Sequence, residues 1–224
     1  MFIAEPLDAS PTPAPGLSHE RIGMFTDAVF AIAITLLVID IKRPEEADLK
    51  RLGAFISEQA GAFIAFVIAF VMLWAAWRAH HMVFDQITRV SRPAVAVHLP
   101  LLLFAAFLPY PTGIFGEASS EPLAISMFAG TEAILMLCLA TLMTLVLRQR
   151  LYAAHANTVR LAVHSVVYWG MGAYWALSAV IAWWAPGYVP LVWMATPLLA
   201  PALAKVGRRL HAPSRPVGSA PAND

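Results

Sequence analysis

RIGMFTDAVFAIAITLLVIDIKR, residues 21–43, is the stretch from which the architecture of this 224-residue chain follows. Residues 22–41 supply about 20 positions, enough for a helix of roughly 30 Å, the thickness of a bilayer's hydrocarbon core. The run reads as a membrane-spanning helix. It also carries Asp27, about two turns in from Arg21. A carboxylate at such depth is costly and turns toward protein or water rather than lipid. On a wheel of about 100° per residue, Phe25, Ala28, Val29, Ile32, Leu36 and Ile39 form one stripe with Thr35 on its flank, and Asp27 lies roughly 140° from Ile32. One helix thus presents an apolar stripe and an acidic group to different surroundings. The stripe by itself fits a lipid-facing or core-packed helix equally well.

The whole composition agrees with a membrane setting. Hydrophobic residues make up 59% and charged residues 13%, which is not the balance of a soluble surface. A net charge of +1 and the lack of basic blocks interleaved with aromatics argue against nucleic acid as a partner. With one cysteine, Cys138, neither an intrachain disulfide nor a CxxC site can form. Further apolar runs at 54–77, 93–109, 123–147, 161–184 and 188–206 bring the expectation to an all-α protein of six transmembrane helices, spanning 19–210. Pro190, Pro197 and Pro201 should kink the last. Residues 1–18 lack the basic and apolar regions of a signal peptide, and they and the Pro-containing 211–224 read as disordered tails. The first-helix motif occurs once, with no internal repeat.

Charge sets an expected orientation. Of the 15 Lys and Arg, Lys42, Arg43, Lys50 and Arg51 fall on one side and the remaining eleven on the other. The rich side is the cytoplasmic one by the positive-inside rule, which places both termini in the cytoplasm. Arg21, Arg78, His80 and His81 share that side with Asp27 and are its expected partners, because an uncompensated carboxylate at this depth costs several kcal/mol.

Position by position, the first helix resembles Arg-x-x-x-Phe-Ser-Asp-x-Val-Phe-Ala-Ile-x-x-Thr-Leu-Leu-Val, the opening signature of the transmembrane protein 175 family of lysosomal and bacterial potassium channels. Arg21, Phe25, Asp27, Val29, Phe30, Ala31, Ile32, Thr35, Leu36, Leu37 and Val38 match, and Thr26 replaces the usual serine while keeping a hydroxyl. Trp74 to Phe84, W-x-x-W-x-x-His-His-x-x-Phe, and Phe107 to Thr112, FLPYPT, resemble the family's second and third helices. The resemblance implies a homotetramer in a prokaryotic cell membrane, with the first helix of each chain lining a central potassium-conducting pore. By motif position Ile32, Leu36 and Ile39 are its apolar constrictions and Thr35 its aid to selectivity. Arg21, Phe25, Thr26, Asp27, Trp77, His80 and His81 then form a structural network behind the pore wall. The implied permeant ion is K⁺, with no further cofactor and no enzymatic activity. An apolar constriction can block ions by dewetting and pass them when it widens, and four copies close a ring. The carbonyl filter TVGYG is absent from the sequence.

Other readings stay open on the residues alone. Asp27 and the histidines on its side are also what a proton-coupled carrier or secondary transporter would use as a relay. A broken helix in each of two repeated halves would favour that, and no repeat is visible. His80, His81, His98 and His164 with Asp85 and Glu132 have no HExxH-like spacing, so no metal site is assigned. Glu132, His98 and His164 are left without a role.

Overall fold

Ser18 opens the first helix, α1 (His19–Leu36), in the computed structural model, which describes residues 18–211. Its hydroxyl accepts from the Arg21 backbone N–H at 3.4 Å, satisfying one of the free donors of the first turn. Apart from Ser18 and His211, the expected tails lie outside the described residues. The helix ends at Leu36, short of the residue 41 that the apolar run predicts, and 37–40 continue as tighter turns with Ile39 N–H bonded to the Leu36 carbonyl at 3.0 Å. The β-branched Val38, Ile39 and Ile41 lose side-chain freedom in a helix, and Pro44 ahead bars its extension.

A 3₁₀ turn at Asp48–Arg51 leads into α2 (Leu52–Glu58) and, after Gln59, α3 (Ala60–Phe84). At 25 residues α3 runs well past Trp77, where the apolar run ends, so Arg78, His80 and His81 belong to the same helix. Ser91 caps α4 (Arg92–Phe107), with α5 (Pro109–Glu117) following after Leu108. Next come α6 (Pro122–Arg148), α7 (Thr158–Ile181), α8 (Val189–Trp193) and α9 (Thr196–Leu210). Among the described residues everything regular is helical except one isolated antiparallel bridge, Ile87 to Tyr152. The turn after α6 is a Schellman motif: Leu151 N–H bonds the Val146 carbonyl, Arg150 N–H that of Leu147, and Arg150 takes φ 51°.

The helices α3, α4 with α5, and α6 are long and apolar enough to cross a membrane, and α8 with α9 make a fourth if that bent pair is one span. The chain is therefore a multi-pass helical membrane protein. Six spans is a larger count than this. The 18 residues of α1 include Glu20, Arg21 and Asp27, and α7 opens with Arg160 and His164. The pair α8 and α9 is bent by 62°. Pro197 lacks the N–H that would bond the Trp193 carbonyl, which is where the two helices part.

Helix α6 is the hub, with α7 along one side and α3, α4 and α5 on others. Leu135, Leu139 and Leu142 of α6 are fully buried, as are Leu73 of α3, Leu101 of α4 and Trp175 of α7. Helices α3 and α5 cross closely because neither carries a side chain there. A Cβ on Gly61 would stand 2.6 Å from the Gly116 carbonyl oxygen, and one on Gly116 would stand 2.8 Å from Ala62 Cα. Helix α1 lies at the edge, packed mainly on α3 and α4.

Candidate functional site

The edge position of α1 divides its surface. Ile22, Thr26, Phe30, Ala33 and Leu37, spaced three or four apart, turn into the bundle and are buried. The opposite face has no partner within the chain: Phe25 is 63% exposed, Ile32 59%, Leu36 38% and Ile39 69%, with Ala28 and Thr35 exposed among them and Val29 half-buried. This is the stripe that the helical wheel assigns. Ile39 stands on the turn beyond Leu36 rather than on α1 itself. The Thr35 hydroxyl donates back to the Ile32 carbonyl at 2.8 Å, which leaves its lone pairs facing outward as acceptors.

Behind this face the polar residues fall into two groups. Asp27 Oδ1 accepts from the Trp77 indole N–H at 2.9 Å, and His81 stacks on the Trp77 ring at 5.6 Å between centroids. His81 Nε2 lies 3.7 Å from Asp85 Oδ2. The expected cationic or imidazole partners of Asp27 are thus replaced by an indole. A neutral N–H gives the carboxylate a donor without taking a second charge out of water. The second group is a pair of buried imidazoles: His80 Nε2 and His98 Nε2 are 3.0 Å apart, joining α3 to α4, and His98 Nδ1 meets the Ala94 carbonyl at 2.7 Å. Phe84 stacks on His80 at 4.2 Å. Arg21 is exposed, and Thr26 is buried with its hydroxyl unpartnered among the described residues.

The sequence therefore brings Asp27, Trp77 and His81 together and leaves His80 in a separate pair. The partner it does not reveal is His98, 18 residues away on another helix. The only readable sign was an imidazole inside an apolar run. Glu132 is fully buried in α6, and neither oxygen has a partner among the described residues. His164 lies on α7, apart from both groups.

The site of this multi-pass helical membrane protein is thus an edge helix with an apolar face uncovered within the chain, backed by a hydrogen-bonded acidic and aromatic layer. Residues 21–109 match the family model described as endosomal/lysosomal potassium channel TMEM175, so that segment is similar to the TMEM175 family. A potassium channel of Streptomyces collinus is 34% identical over 120 residues, covering 54% of this chain and 58% of that one. A potassium channel of Chamaesiphon minutus is 34% identical over 115 residues, covering 49% and 57%. The chain thus spans a little over half the length of these curated relatives. The endosomal/lysosomal proton channel TMEM175 of Bos taurus is 35% identical over 101 residues, 42% of this chain and 21% of that protein. The crystal structure of a lysosomal potassium-selective channel TMEM175 homologue from Chamaesiphon minutus superposes with a TM-score of 0.66 at 22% identity, covering 84% of this chain and 97% of that one, so the fold is shared. These relatives are named as ion channels, not as enzymes.

Proposed function

We propose that the chain is one subunit of a homotetrameric, potassium-preferring cation channel, with four copies of α1 around the pore. The observation that carries this is the apolar face of α1, uncovered within the chain and aligned along Phe25, Ile32 and Leu36 to Ile39. A single helix encloses nothing, so such a face becomes a pore wall only through other copies. Ile32, Leu36 and Ile39 then form stacked apolar rings, where water withdraws from a narrow gap and returns when it widens. Thr35, between Ile32 and Leu36, supplies the polar step at which a cation sheds part of its hydration. Asp27, Trp77 and His81 brace the wall from behind. The permeant ion is K⁺, the membrane is the prokaryotic cell membrane, and both termini are cytoplasmic.

Two observations bear on rival readings. Relatives over the same segment are named potassium channels in bacteria and proton channels in vertebrates, which makes H⁺ the second ion to measure. The bent α8 and α9 pair has the form of the broken helices that transporters use, but among the described residues it is the only apolar pair of span length bent by more than 40° at a short break, and it has no counterpart in a repeat. The test is flux from liposomes holding the purified chain, under K⁺, Na⁺ and H⁺ gradients in turn. Potassium efflux exceeding both others supports the proposal. Proton flux alone replaces potassium by the second reading, and strict exchange of one ion for another returns the carrier.

A further inference from the structure

Away from α1, a continuous cleft separates α3 from α7 and α9. Its apolar part is a groove of about 440 Å³, walled by residues that include Ile68, Val71 and Ala75 of α3, Met171 of α7, and Met194 and Ala200 around the start of α9. It opens through Ala75, Val167, Tyr168 and Ala200 into a second cavity of about 380 Å³. That cavity is of another character, because Arg78 of α3 and Arg160 and His164 of α7 line it. Both arginines also line the crevice beyond, together with Asn157 and His155.

Three features make the gap a built one. The Tyr168 hydroxyl donates to the Ala75 carbonyl at 3.2 Å, fixing the spacing of α3 and α7. Small residues, Ala75, Ala200 and Ala204, keep the cleft open where larger ones would fill it. The guanidinium of Arg78 lies 5.0 Å over the Trp74 ring, which holds the charge at the mouth. Among the described residues no carboxylate pairs with Arg78 or Arg160. Asp85, the carboxylate in the adjoining crevice, lies with His81. Two like charges from different helices thus converge without a counter-ion above an apolar groove. From Arg78 to Ile68 the groove runs ten residues of helix, about 15 Å.

We propose that this cleft binds one anionic phospholipid per chain, from the leaflet at the bundle's basic end. Its phosphate lies between Arg78 and Arg160, and one acyl chain follows α3 along the groove toward Met194. Basic pockets between transmembrane helices take such headgroups by charge, and the apolar lining excludes a free water-soluble anion from the rest of the site. The inference is independent of whether the chain conducts, since none of these residues belongs to the α1 face.

The experiment titrates the purified full chain in detergent with phosphatidylglycerol and, separately, phosphatidylcholine, counting retained lipid by native mass spectrometry. One phosphatidylglycerol per chain should be held at a concentration at least roughly tenfold below that needed for phosphatidylcholine. Each arginine near an anionic headgroup is worth roughly fivefold, so Arg78→Gln with Arg160→Gln should weaken phosphatidylglycerol by up to about 25-fold and leave phosphatidylcholine unchanged. Ala200→Trp fills the groove and should expel both lipids with the arginines intact, which tests the site even if the arginine pair impairs folding. Arg208→Gln with Arg209→Gln, on α9 but outside the cleft, should change nothing. The proposal is overturned if the two lipids bind alike, if the Arg208 and Arg209 pair weakens binding as much, or if free glycerol phosphate competes equally. Cysteines at Val71 and Met194 that cross-link between copies would also overturn it, since a second chain would then occupy the groove.

Discussion

Asp27 and Trp77 illustrate how a costly residue is kept in a membrane helix. Removing the indole N–H leaves Asp27 Oδ1 without its donor, and a hydrogen bond to a carboxylate is worth about 1.5–3 kcal/mol when the remaining partner stays out of water. Asp27 is half-buried, which puts the loss at the lower end. Trp77→Phe keeps a ring under His81, so it isolates the N–H from the stacking. The expected result is a lower thermal midpoint in detergent with the potassium-to-sodium flux ratio unchanged. Asp27→Ala should act in the same direction, and the double variant should fall short of the sum because both remove one bond. A changed flux ratio with a normal midpoint would instead place Asp27 in the conduction path. That this pair exists was only partly legible. The sequence marks Asp27 as needing a partner, but nothing in it favours a neutral indole 50 residues away over the cations nearby. His80 and His98 posed the same difficulty, since each looks like an isolated imidazole until α3 and α4 are packed.

At the scale of elements, the close crossing of α3 and α5 rests on two glycines. Gly116→Ala would put a Cβ 2.8 Å from Ala62 Cα, and because the obstacle is backbone the helices must separate. The cost should be about 1–3 kcal/mol, read as a fall in thermal midpoint. Gly53→Ala meets nothing within 4 Å and should stay within about 0.5 kcal/mol of the parent. Equal effects from the two would mean the crossing is not tight. Which residues of α1 share one stripe was readable from apolar periodicity, because that depends on neighbours three and four residues apart, whereas its being uncovered depends on how α1 packs on α3 and α4. The ends were less so. Hydropathy ends the second run at Trp77, yet α3 carries Arg78, His80 and His81 as helix, with Arg78 over Trp74 and His80 against His98. Likewise α1 stops at Leu36 although the apolar run continues, since hydropathy does not register the strain of consecutive β-branched residues.

For the whole molecule, the account requires several copies to meet through α1. In a Cys138→Ala background, Ile32→Cys should cross-link chains to one another in membranes, whereas Leu198→Cys, 74% exposed on α9, should not. Chains linked through Leu198→Cys alone would move the axis to α9. The central claim is that the apolar face of α1 gates ion flow. The most direct measurement is K⁺ efflux from liposomes carrying parent, Ile32→Asn or Leu36→Asn protein. Asn is of similar size to Ile and Leu but holds water, so either change should wet the constriction, raise basal flux and weaken discrimination against Na⁺. Ile34, opposite on the wheel, packs against the core, so an Asn there would confuse gating with folding and the control moves to Leu198→Asn. The account predicts greater flux for Ile32→Asn and Leu36→Asn than for the parent, with Leu198→Asn unchanged. Flux from Ile32→Asn indistinguishable from that of Leu198→Asn would contradict it.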